Sequence, residues 1–148
     1  MRGSQIPPVL LLALTLASPA AAGTPQVNYM LNCQGCHLPD GRGVPGRVPD
    51  MRGQLGELLR APGGRAFIVQ VPGTSNSKLS DADIAELLNW LIPRMQPGLQ
   101  GPLAPYSAGE VSALRAVRLK DVAEVRAALA ADIRRLPDRM SPKSRNQD

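Results

Sequence analysis

The chain has 148 residues, 43% hydrophobic and 20% charged, with a formal net charge of +5. This fits one globular domain with an appendage and excludes a disordered chain, whose low hydrophobicity would come with a larger charge excess. No apolar run reaches the ~20 residues of a membrane-spanning helix.

Residues 1–22 read as an export signal (1–22 signal peptide). Arg2 gives a positive start, Val9 to Ala17 an apolar stretch too short to span, and Ala20-Ala21-Ala22 a small-residue cleavage pattern before Gly23. Such a protein works in an oxidising compartment, with no membrane span left after signal removal. Residues 23–95 form the main domain. Gln26 to Cys33 reads as a short helix with Val27, Met30 and Leu31 as its apolar residues. Ala66 to Val71 is the best strand candidate, short and isolated. Ser80-Asp81-Ala82-Asp83 caps a helix carrying Ile84, Leu87, Leu88 and Leu91 at helical spacing, limited by Pro93. Residues 96–106, rich in Pro and Gly, read as a linker. Ser107 and Glu110 make a capping box before Val111, Leu114 and Val117. Asp121 opens a last helix with Val122, Val125, Leu129, Ile133 and Leu136 on one face. Residues 107–136 are thus a helical extension, and 137–148 a flexible polar tail.

The two cysteines and the one histidine of the chain fall within Cys33-Gln34-Gly35-Cys36-His37. C-x-x-C-H is the attachment pattern of a c-type haem. Two thiols three positions apart reach the two vinyl groups of a porphyrin, and the next residue points its imidazole at the iron. A disulfide across so short a loop would staple almost nothing. A thioredoxin-like dithiol wants a βαβ setting, which the pattern lacks. Two Cys and one adjacent His cannot close a tetrahedral zinc site. One covalent haem also accounts for the few aromatics, Tyr29, Phe67, Trp90 and Tyr106, because the porphyrin supplies the missing apolar bulk. Attachment outside the cytoplasm suits an exported, periplasmic protein.

With the loop from Gly41 to Gly53 and the helix ending near Asn89-Trp90-Leu91, residues 25–95 resemble the class I cytochrome c family. The resemblance implies an all-α, cytochrome c-like domain around one haem, extended here by the C-terminal helices. It implies that Pro49 offers its carbonyl to the proximal histidine's N–H, fixing the ring of His37, and that the last helix of the domain crosses the first. Family members commonly place a methionine shortly before that last helix. This sequence has Val71 in its place, which cannot ligate iron.

The sixth position of the iron therefore has several readings. Met30 and Met51 belong to packed positions and Met140 to the tail, which leaves Met95 as the internal thioether; Lys78 and Asn76 are lesser candidates. A vacant or water-held site and a ligand supplied by a partner stand beside them. A thioether raises the reduction potential and suits electron transfer; a vacant site admits small gases. Peroxide chemistry would need a distal acid–base group, and no spare histidine provides one. The chain thus reads as a carrier of single electrons between a redox donor and acceptor rather than an enzyme, with a five-coordinate, gas-binding haem protein as the alternative.

Arg42, Arg47, Arg52, Arg60 and Arg65 outnumber Asp40, Asp50 and Glu57 near the expected haem edge. They can steer an acidic redox partner or meet a haem carboxylate. The modest positive excess on an exported chain argues against a nucleic-acid partner. The extension is expected to pack back on the haem domain, or else to form a docking hairpin, and Tyr106 either covers the haem or begins the extension.

Overall fold

The computed structural model describes residues 23–99 and 103–136. The signal reading of 1–22 and the tail reading of 137–148 lie outside the described residues. Among these the structure is helical, and the single β-type pairing is an isolated bridge between Val44 and Val48.

Helix α1 (Pro25–Asn32) starts where Thr24 accepts a hydrogen bond from the Val27 amide and Pro25 takes the first helical position, where a missing N–H costs nothing. Its buried residues are Asn28 and Tyr29. The expected apolar residues face outward instead, Leu31 being 78% exposed and Met30 53%. The reason lies in what the inner face must do. The Tyr29 hydroxyl donates to the Leu38 carbonyl at 2.6 Å and its ring lies 6.1 Å from that of Trp90, while the Asn28 side-chain amide donates to the Gly23 carbonyl at 3.1 Å. Polar groups that tie α1 to its neighbours take the inner face.

The chain then makes the one-turn α2 (Gln34–His37), a loop, α3 (Gln54–Arg60) and α4 (Gly64–Gln70). Helix α4 occupies the stretch expected to be a strand. A short apolar run does not distinguish a strand from a helix enclosed on several sides, and α4 buries Phe67, Ile68 and Val69 consecutively. It packs against α3 and against both helices of the extension.

A short turn, α5 (Pro72–Ser75), leads to α6 (Asp81–Met95). Ser80 caps α6 by accepting from the Asp83 amide at 3.1 Å. The helix runs through Pro93 rather than stopping there. Only the last turn lies beyond the proline, and it is held by the burial of Met95 and by a hydrogen bond from the Gly53 amide to the Met95 carbonyl at 2.9 Å. Helix α1 packs on α6.

In the extension, α7 (Ala108–Arg115) and α8 (Val122–Arg135) begin at Ser107 and Asp121, each accepting from the amide three residues on. Both pack back on the domain, α7 on α4 and α6, α8 on α3 and α4. Val111 is completely buried and Leu129 nearly so; each contributes about 1.5–3 kcal/mol by burial. Arg65 fastens the joint. It forms an ion pair with Glu110 and donates to the Ala104 and Pro105 carbonyls. Tyr106 is buried in this joint, its hydroxyl donating to the Arg65 carbonyl at 3.0 Å. It is not among the residues lining the cavity around Cys33, Cys36 and His37.

Candidate haem site

Helices α3, α4, α6 and α8 and the loops around α2 and α5 line an open cavity of about 600 Å³, a volume in the range of cofactor sites. Cys33, Cys36 and His37 lie on its wall. Their short helix places both thiols and the imidazole on one edge because α2 continues almost directly from α1: the His37 amide donates to the Cys33 carbonyl at 2.9 Å. Leu38 follows with a φ of +56°, a conformation rare for a side chain of its size. The hydroxyl of Tyr29 holds its carbonyl in this turn, which ends α2 immediately after the imidazole. The remaining wall is mostly aliphatic, including Leu55, Leu58, Ile68, Leu87 and Leu91.

The electrostatics suit a metal-binding imidazole. Burial lowers the pKa of His37; the Pro49 carbonyl opposes that, Arg126 adds to it, and Asp50 opposes it more weakly. The neutral ring is the form that coordinates metal. Nδ1 is buried and makes no well-formed hydrogen bond among the described residues, although the Pro49 carbonyl is the backbone group acting on the ring. Nδ1 is therefore turned into the protein, and Nε2 is the nitrogen left for a metal. Gly43 permits this arrangement, since any Cβ there would collide with the Val48 and Pro49 carbonyls. Burial raises the pKa of Cys33, and the neighbouring Cys36 adds to that. Cys36 itself is exposed.

Met51 is half-buried on the cavity wall. Met95 is 8% exposed and packs its sulfur against Gly41, whose φ of +82° and missing Cβ make the room; it is not among the lining residues. Lys78 and Asn76 are exposed and off the wall, and Asn76 accepts from Arg118 at 3.1 Å. Val71 lines the cavity. Of the five loop arginines, Arg42 and Arg52 pair with Asp40 and Asp50, Arg60 with Glu57, and Arg65 with Glu110. Arg47 alone of the five reaches the cavity wall.

Arg126 joins the wall although no sequence motif marks it. It comes from α8, lines the cavity, and holds its guanidinium 5.1 Å from the centre of the Phe67 ring, with no carboxylate partner among the described residues. Burial lowers its pKa. A partly buried cation without a counter-ion is costly, so its placement suits a cofactor that brings carboxylates. The signal was present in the sequence: Arg126 is four residues after Val122 and three before Leu129, a charge on an apolar stripe.

The chain is 29% identical over 133 residues to a protein named cytochrome c-552 from Thermus thermophilus, across 74% of this chain and 87% of that protein. It is 31% identical over 110 residues to a second Thermus thermophilus protein of the same name, across 59% of this chain and 81% of that protein. The chain belongs to the class I c-type cytochromes. It is accordingly an electron carrier with one covalent haem c, and the cavity fits that group. Its wall offers two thiols at attachment spacing, a neutral imidazole whose free nitrogen is Nε2, aliphatic surface for the macrocycle, and Arg47 and Arg126 for its carboxylates. No protein-family profile matches the chain, and no solved structure matches it. No helix among the described residues is long and apolar enough to cross a membrane.

Proposed function

We propose that this cytochrome is a periplasmic mono-haem carrier of single electrons between redox partners. In this reading Cys33 and Cys36 form the thioethers, His37 is the proximal ligand and Pro49 orients its ring. The observation that carries it is the placing of both thiols and the neutral imidazole on the wall of one apolar cavity of about 600 Å³. When bound, the haem supplies a metal that changes oxidation state by one electron. His37 would hold that metal and the aliphatic wall would seat the macrocycle.

Cys36 marks the exposed edge of the site. Val27, Met30 and Leu31 of α1 expose apolar surface five to nine residues before it in the chain, which supports docking of a redox protein there. Arg42 and Arg52 are tied to acids, so charge steering rests more on Arg47 than the count of arginines suggests. The reading of residues 1–22 as an export signal supports the periplasmic location.

An optical redox titration of the purified holoprotein tests the carrier function. The expected result is reversible one-electron Nernst behaviour of the Soret and visible bands. A haem that bleaches or fails to cycle would refute it.

A further inference from the structure

Family members commonly close the second axial position of the iron with a methionine, and the resemblance sets Val71, which has no ligating atom, in that place. The cavity wall carries one imidazole, that of His37, and one thioether, that of Met51. Met51 stands two residues beyond Pro49, a reach of about 7 Å at most. Its amide is fixed to the Gly41 carbonyl at 3.0 Å. Pro49 backs the imidazole on its Nδ1 side, away from the metal, so Met51 is anchored on that side as well. Met95 is packed against Gly41, off the wall.

The segment that would approach from the other side is held in place. The Arg115 guanidinium donates to the carbonyls of Ser75, Ser77 and Leu79 and to the Asp81 carboxylate. A segment fastened at three carbonyls has little slack to carry exposed Lys78 inward. On this segment Ser77 lines the cavity, and its hydroxyl oxygen is fully buried with no hydrogen-bond partner among the described residues. A buried hydroxyl without a partner is uncommon in a native fold. No partner holds it, and a turn about the Cα–Cβ bond of this wall residue would present the hydroxyl to a ligand atom in the cavity.

We propose that the protein leaves the second axial position of its haem open, and that this position takes a small diatomic ligand hydrogen-bonded by Ser77. The inference rests on His37 being the first axial ligand. The aliphatic wall, with Val71, Leu79 and Leu87, suits a small uncharged molecule rather than a large or ionic one. Binding forms one coordinate bond from the ligand to ferrous iron, and no electron is transferred to a third species.

Carbon monoxide is the probe. Dithionite-reduced holoprotein is titrated with CO, and the Soret band and the C–O stretching frequency are recorded. The expected result is saturation at micromolar CO in wild type. Ser77→Ala is expected to raise the C–O stretch, because losing a donor weakens back-donation, and Ser77→Thr to restore it. A reduced protein that stays six-coordinate and low-spin without binding CO overturns the proposal. An unchanged stretch in Ser77→Ala overturns the role of Ser77. Haem that extracts from the polypeptide would instead refute the attachment reading, so the two failures are distinguishable.

Discussion

Replacing Arg115 by Ala is a severe test of how the extension supports the haem site. The side chain is 20% exposed and forms an ion pair with Asp81 at 2.7 Å. It also donates to the Leu79 carbonyl at 3.0 Å, to Ser77 at 2.8 Å and to Ser75 at 3.2 Å. The ion pair is partly exposed and contributes little by itself. Each carbonyl bonded to a charged donor contributes at most about 1.5–3 kcal/mol, reduced here because water reaches the freed groups. Truncation therefore costs about 3 kcal/mol, which for a domain of this size lowers the melting temperature by roughly 10 °C. Amide exchange in residues 74–79 should accelerate as well, because the carbonyl anchors of that segment are lost. Arg115→Lys keeps the charge but not the fork, so it should recover only the Asp81 contact. A melt within about 2 °C of wild type, with exchange unchanged, would refute the reasoning.

Met95→Leu should leave the ferric spectrum and the reduction potential unchanged and cost less than about 1.5 kcal/mol by chemical denaturation, because the sulfur packs on Gly41 and serves only as volume. Gly43→Ala should cost about 3 kcal/mol and lower the yield of haem-loaded protein, since the new methyl meets backbone carbonyls that cannot yield; Gly35→Ala, with open space at its Cβ position, is the neutral control. The Asp81 pKa is lowered chiefly by its hydrogen bond from Arg115, and that of Glu110 by its bond from Arg65. Depressed carboxylates stabilise the fold fully above their unfolded value of about 4 and lose that contribution as pH falls through the folded value. The melting temperature should therefore be insensitive to these groups between about pH 7 and 5 and fall below about 4, as amide exchange in α7 accelerates. A fall already complete by about pH 5 would contradict this assignment.

The attachment motif was legible because covalent chemistry requires its residues to be neighbours in the chain. The starts of α6, α7 and α8 were legible for a related reason: Ser80, Ser107 and Asp121 each accept from an amide three residues away, a contact written within four letters. What escaped depends on distant partners. Phe67, Ile68 and Val69 read as a strand until neighbours on several sides enclose them as helix α4. The exposed face of α1 could not be foreseen from Val27, Met30 and Leu31, because Asn28 and Tyr29 take the inner face through bonds to Gly23 and Leu38. Pro93 reads as a stop, yet burial of Met95 carries α6 one turn further. The arrival of Arg126 at the cavity and of Arg115 at the 75–81 segment depends on how α7 and α8 dock, which no local pattern specifies.

The most direct test of the account is the covalent state of the haem on Cys33 and Cys36. Holoprotein is denatured in acid organic solvent, digested, and its peptides are examined by mass spectrometry. The account predicts that the haem mass stays on the peptide containing Cys33-Gln34-Gly35-Cys36-His37, and that replacing both cysteines releases it. Haem extracted completely from wild type, or a peptide of unmodified mass carrying two free thiols, would contradict it.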